Sequence, residues 1–267
     1  MRTMLLLIAV TVILGGCGEE AQLKPLGSHP VDHSWQAYGN LLSDFVQDGW
    51  VDYRTLKSDR ARLDSLINAL SGADIDSATA DERLAFYINA YNIITLASIV
   101  AAYPVESIKD IDGVWGKKKW SVGDQSLTLN EIEHEILRKE FDEPRIHMAV
   151  NCASIGCPPL RSEPYFAEQI DAQLEKASVK FCLSEKYNQL SPETSTAKLS
   201  SLFDWYGDDF VESFYDPDAY SKLSRKENAS LSFVLSHYPD NQAEQFRKPD
   251  YQVEYVEYDW NLNEIMK

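Results

Sequence analysis

The chain has 267 residues, with 42 acidic against 25 basic side chains and a formal net charge of −17. That balance excludes nucleic acid as a partner, since such binding depends on Lys and Arg neutralising phosphates, and it excludes broad electrostatic docking on anionic lipid. The length suffices for one well-buried domain, and four cysteines are too few for a disulfide scaffold.

The N-terminus reads as an export signal. Arg2 gives the positive start, residues 4–14 an apolar run, and Leu14-Gly15-Gly16-Cys17 a small-residue cleavage site. The run is shorter than the roughly 20 apolar residues that span a bilayer. A cysteine directly after Leu-Gly-Gly resembles the bacterial lipobox, which implies cleavage before Cys17 and a lipid anchor on its thiol. Gly18 in the next position implies the outer membrane. Residues 17–30 are polar and broken by Pro and Gly, as a tether would be. The expected layout is therefore a signal peptide over 1–16, a lipid-anchored tether over 17–30 and a single globular domain over 31–267. Its expected place is the cell envelope, at the outer membrane facing the periplasm.

Within the domain, residues 35–47 and 56–70 carry helical spacing of apolar side chains, with a short extended link at 50–53. Thr79-Ala-Asp-Glu82 matches a capping box and opens a helix that Pro104 ends. No charged residue occurs over 84–102, so this helix suits either a membrane span or the centre of a globule. Asn89, Asn92 and Thr95 in its middle favour the globule, because polar groups in lipid are costly without partners. Residues 120–127 pattern as a hairpin turning at Gly123-Asp124. Thr128-Leu-Asn-Glu131 is a second capping box, opening a helix to about residue 141. Alternation at 146–150 predicts a strand, with Ile146, Met148 and Val150 on one face and His147 on the other. Helical pieces follow over 165–183, 199–214 and 231–237, then an aromatic strand over 251–258. Helices outnumber the strands, which are not contiguous. The expected class is α+β: a mainly helical single domain with a buried central helix and a small, mostly antiparallel sheet.

The chemistry concentrates in Arg145-Ile-His-Met-Ala-Val-Asn-Cys-Ala-Ser-Ile-Gly-Cys-Pro-Pro-Leu-Arg161. Cys152, at the predicted strand end, is the candidate nucleophile, because the thiolate is the reactive form and a nearby imidazole favours it. The amides of Ala153 and Ser154 are candidate anion donors. The bland readings are a packed Cys152, or a disulfide with Cys157. His147 is the nearest imidazole, but it meets Cys152 only if the chain bends at Asn151. His134 is the second candidate base. Glu133 falls on the buried face of its helix and must be paired, hydrogen-bonded or protonated, with Arg145 and Arg161 as candidate partners. Asn89 and Asn92 share one face of the central helix and either bind a substrate amide or knit the core. Cys182 reads as packing. No His pair at metal spacing and no Cys-x-x-Cys occurs, so neither metal nor cofactor is expected.

Phe86-Tyr-Ile-Asn-Ala-Tyr-Asn92, Leu127-Thr-Leu-Asn-Glu-Ile-Glu-His134, Pro144-Arg-Ile-His-Met-Ala-Val-Asn-Cys152, Cys157-Pro-Pro-Leu160 and Tyr258-Asp-Trp-Asn-Leu262 together resemble the domain of unknown function 547 family. The resemblance runs from about residue 80 to 262. It implies that Asn89, Asn92, Glu133, His134, His147, Cys152 and Cys157 form one cluster, and it supplies no reaction. The expectations are threefold. One is a thiol-dependent hydrolase or acyl-transferring enzyme acting on amide or peptide bonds, with Cys152 attacking, His147 or His134 as base, and Glu133 or an asparagine orienting the ring. The second is a thiol-ligand or disulfide redox protein using Cys152 and Cys157. The third is a non-catalytic lipoprotein binding a peptide or partner; the expected ligand is a small molecule or a peptide. Residues expected to contact the ligand are Asn89, Asn92, Arg145, Arg161 and Cys157. The sequence leaves the oligomeric state open.

Overall fold

The structure is a computed structural model that describes residues 29–246 and 250–265. The expected signal peptide, Cys17 and nearly all of the tether lie outside the described residues. The central helix, Ala80–Ala102, begins where Thr79 N–H donates to Glu82 Oε2 at 2.7 Å and Glu82 N–H donates to Thr79 Oγ1 at 3.3 Å. It stops at Tyr103, before Pro104, as the steric restriction on a pre-proline residue demands. Its most apolar stretch is 89% buried, so the apolarity that would suit a membrane is spent on the core. Ile93, Ile94, Leu96 and Ile99 are each essentially inaccessible, and each contributes about 1.5–3 kcal/mol by leaving water.

Helices Tyr53–Ser58 and Arg60–Leu70 pack on this rod, as does the helical turn at Glu131–Leu137. The predicted helix over 56–70 is thus divided at Asp59. A second apolar cluster, centred on Phe181, Phe203, Phe210 and Phe233, fills the C-terminal half. It lies with a three-stranded sheet in which Thr196–Ser200 runs antiparallel to Gln189–Ser191 and parallel to Gln252–Val256. The hairpin Trp120–Val122/Gln125–Leu127 turns through Gly123, whose φ of +60° favours glycine. The architecture is mainly helical α+β in a single domain, with sheets of two or three strands.

Three further local expectations change. Residues 146–150 do not form a strand: Pro144–Met148 is a 3₁₀ turn. Pro144 at its start has a fixed φ and no N–H to donate, and Glu143 accepts from Arg145 N–H at 3.0 Å. Ile146, His147 and Met148 are all buried, so the alternation had no solvent face to mark. The helix after Thr128 is π-wound over Glu131–Leu137, with Arg138 N–H donating to the Glu133 carbonyl five residues back. The helix predicted over 199–214 is three short pieces, Ser201–Tyr206, Gly207–Phe210 and Val211–Phe214, preceded by the unpredicted strand at Thr196–Ser200.

Candidate functional site

The turn that carries the thiols is pinned by buried amides. Asn92 Nδ2 donates to the Ala149 carbonyl at 3.0 Å, and Asn151 N–H donates to Asn92 Oδ1 at 2.8 Å. The Asn151 side chain then donates to the Pro158 carbonyl at 2.8 Å and accepts from Ala153 N–H at 2.9 Å. Ala153 sits at φ +60°, a conformation that costs an L-residue about 1–2 kcal/mol. Strain of this kind persists where neighbours over-determine the backbone. The outcome is that Cys152 Sγ and Cys157 Sγ lie 2.9 Å apart as free thiols, with Cys152 N–H donating to Cys157 Sγ at 2.9 Å.

The last described segment completes this site. Ile155 N–H donates to the Asn261 carbonyl and Gly156 N–H to that of Asp259, both at 2.8 Å, while Asn263 N–H returns to the Ala153 carbonyl at 3.0 Å. Gly156 leaves room for this close approach: a Cβ there would stand 3.0 Å from Asp259 N and 3.1 Å from the Tyr258 ring, tight contacts that the neighbours would have to relieve. The docking brings Tyr258 Oη to 3.0 Å from Cys152 Sγ.

These contacts divide the two thiols electrostatically. The Cys157 thiol is the largest influence on Cys152. Although burial opposes ionisation there, hydrogen bonds from Cys157, Tyr258 and Ser154 outweigh it, and Cys152 ionises more readily than an ordinary thiol. Burial first, and then the neighbouring Cys152, push Cys157 well up. Burial followed by the two sulfurs does the same for Tyr258, so the phenol keeps its proton and donates it. The expected anion donors behave differently from the prediction. Ala153 N–H is taken by Asn151, and the Ser154 amide is directed at Cys152 itself.

Facing the thiols is a wall of charged and aromatic groups. Arg138 binds Asp209 through two hydrogen bonds, Nε to Oδ2 at 2.6 Å and Nη2 to Oδ1 at 2.8 Å. His147 Nε2 donates to Asp209 Oδ2 at 2.7 Å. Burial opposes the Asp209 charge, yet the Arg138 and His147 hydrogen bonds prevail and hold its carboxyl well below the usual carboxylate range. Arg138 Nη1 also donates to His134 Nδ1 at 3.1 Å. A guanidinium has no acceptor, so the ring proton of His134 sits on Nε2. His134 borders the cavity with its Nδ1 engaged by Arg138. The His147 ring stacks on Tyr206, centroids 4.3 Å apart. Glu133 is buried and lies against the phenols of Tyr91 and Tyr206. Burial, and next its carboxylate, raise both phenols far above the ordinary tyrosine range.

Between the two walls is a cavity of about 300 Å³ bordered by Glu133, His134, His147, Cys152, Cys157 and a set of aromatic rings. Successive residues on the wider π turn diverge less than on an α turn, which lets Glu133 and His134 border the same space. Among the described residues neither imidazole hydrogen-bonds to Cys152; its sulfur meets Cys157 and Tyr258.

Four predicted contact residues lie elsewhere. Asn89 exchanges hydrogen bonds with the Tyr165 backbone at 2.8 and 2.9 Å, and Asn92 is committed to Ala149 and Asn151, so both amides knit the core. Arg145 is held by Glu143 and Asp171, and Arg161 by Glu163; neither reaches Glu133 or the cavity. Cys182 is buried in the second apolar cluster. Arg138, Tyr206 and Asp209 were not predicted. Arg138, four residues past His134 on one helix, offered a signal through its spacing; Asp209 offered none.

Residues 75–182 match the family model described as Protein of unknown function, DUF547. The matched segment contains the central helix, the π turn and both cavity thiols, and it ends before Tyr206, Asp209 and Tyr258. Neither the curated proteins nor the solved structures gave a match.

Proposed function

We propose that this protein performs thiol–disulfide exchange, with Cys152 as the attacking thiolate and Cys157 as the resolving thiol. The observation that carries the reading is the pair of sulfurs 2.9 Å apart, with Cys152 favoured as thiolate and Cys157 held protonated. The Cys152 thiolate attacks one sulfur of a substrate disulfide, forming a mixed disulfide and releasing the other sulfur as a thiolate. Cys157 gives its proton to that departing thiolate and attacks Cys152 Sγ. The second substrate sulfur leaves, and the Cys152–Cys157 disulfide remains. The substrate gains two electrons and the protein loses two; a dithiol reductant restores the starting state. In this reading the chain works in the cell envelope, held at the outer membrane by lipid on Cys17, where disulfides form and persist.

Equilibration against glutathione buffers tests the exchange. The reading expects Cys152 and Cys157 to convert together between dithiol and internal disulfide, seen as a loss of two hydrogens by mass, with Cys182 unchanged. A pair that stays reduced across the whole buffer range refutes it.

A second reading, acyl transfer to Cys152 from an amide or peptide, is favoured by His147, which borders the same cavity and is hydrogen-bonded to Asp209. With Nε2 donating to Asp209, the lone pair of a neutral His147 is on Nδ1, as a general base requires. A burst of product from an activated acyl ester, lost in Cys152→Ser but kept in Cys157→Ser, would select this reading over exchange.

A further inference from the structure

The charges around the cavity do not cancel. Asp209 is matched by the two hydrogen bonds from Arg138. Glu133 is only 6% exposed and borders the cavity, and among the described residues no Lys, Arg or His forms an ion pair with it. The Tyr91 and Tyr206 phenols hydrogen-bond its carboxylate but bring no positive charge. Arg138 senses this carboxylate at longer range but is bonded to Asp209. A carboxylate withdrawn from water with no cation in direct contact is costly, so the space beside it favours a positive group.

The rest of the lining has the same preference. Trp205, Tyr258 and Trp260 border the cavity as one aromatic cluster, with Trp205 and Trp260 stacked at 5.7 Å and Tyr258 4.6 Å from Trp260. Lys109 Nζ lies 5.0 Å from the Trp260 centroid, so this ring already receives one cation. Aromatic faces attract cations most strongly where water is excluded.

We propose that the cavity binds an organic ammonium group, with Glu133 as its counter-charge and Trp205, Tyr258 and Trp260 as its aromatic wall. The proposal rests on the exchange reading in taking this cavity as the place where substrate meets Cys152, and it narrows the substrate to a disulfide carrying an amine. About 300 Å³ suits an amine-bearing side chain or a small molecule. A cation held there also favours the Cys152 thiolate, so occupancy and reactivity rise together.

The test separates binding from thiol chemistry by using the Cys152→Ser/Cys157→Ser double variant. Titration calorimetry and tryptophan fluorescence compare choline with dimethylbutanol, its uncharged carbon isostere. Choline is expected to bind at least about ten-fold more tightly. Glu133→Gln is expected to erase that preference, with near-ultraviolet circular dichroism reporting whether the variant folds. Trp205→Leu, at a half-exposed position (44%), is expected to weaken choline several-fold, with the same circular dichroism check on its fold. Equal binding of the two probes, no binding of either, or a preference unchanged in both Glu133→Gln and Trp205→Leu overturns the proposal. The exchange reading is untouched by any of these results, because the double variant has no cavity thiol.

Discussion

Replacing Tyr258 by Phe removes one hydroxyl 3.0 Å from Cys152 Sγ and keeps the ring that packs on Trp205 and Trp260. A hydrogen bond to a charged group contributes about 1.5–3 kcal/mol. Cys157 and Ser154 remain as donors in the variant, so the loss falls at the low end, about 1.4 kcal/mol or one decade in acid dissociation. At pH values below the thiolate midpoint, the reactive fraction of Cys152 then drops about ten-fold. The more basic sulfur is also the better nucleophile, by about three-fold for a Brønsted coefficient near 0.4–0.5. Alkylation by iodoacetamide is therefore about three-fold slower than wild type on the acid side and about three-fold faster once both proteins are fully ionised. The two pH–rate curves cross. Peptide mass mapping assigns the alkylated residue, and the ratio is read at each pH. Curves that superimpose would show that the phenol does not hold the thiolate. A variant faster at every pH would show that Tyr258 only shields the sulfur.

Asp209→Asn removes the charge that Arg138 and His147 share, and is expected to cost about 2–4 kcal/mol in urea unfolding at neutral pH. The native Asp209 pKa lies below its unfolded value, so the stability it supplies is complete above about pH 4 and fades as pH falls through the native value. The acid limb of Asp209→Asn should accordingly be flatter than that of wild type; parallel limbs would refute the linkage. Asn92→Ala strands Ala149 O and Asn151 N–H in the interior and should lower stability by about 2–4 kcal/mol. Circular dichroism melts would measure the loss, and an unchanged midpoint would show that the turn does not depend on this amide. Gly156→Ala crowds Asp259 and Tyr258 and should cost about 1–3 kcal/mol. Limited proteolysis should find the last segment released in that variant, whereas wild-type cleavage rates would argue that the backbone absorbs the methyl group.

Legibility followed sequence distance. The capping boxes at Thr79 and Thr128, the buried helix between Thr79 and Pro104, and the hairpin at Gly123 are local patterns, and the structure holds each of them. Glu133 was placed inside by helical spacing and is buried. Its partners were misassigned, since Arg145 and Arg161 are near in sequence to the thiols but are held by nearer carboxylates. The failed strand at 146–150 had an alternating pattern, and Pro144 was the stronger signal because it fixes φ and removes a donor. Asp209 lies 62 residues from His147 and 71 from Arg138. No local rule links such positions. Tyr258 stands 106 residues from Cys152 and was visible only within Tyr258-Asp-Trp-Asn-Leu262, whose part in the site depends on pairing with the thiol loop.

The exchange mechanism is tested most directly by trapping its intermediate. Cys157→Ser lacks the resolving thiol, so after incubation with a disulfide-bonded peptide bearing a free amine it should hold one peptide in disulfide linkage at Cys152, identified by non-reducing mass analysis. Under the same conditions Cys152→Ser should hold none, and wild type should release the peptide as its own disulfide closes. If Cys157→Ser forms no adduct at Cys152, or forms one no faster than an unfolded thiol does, the exchange mechanism is contradicted.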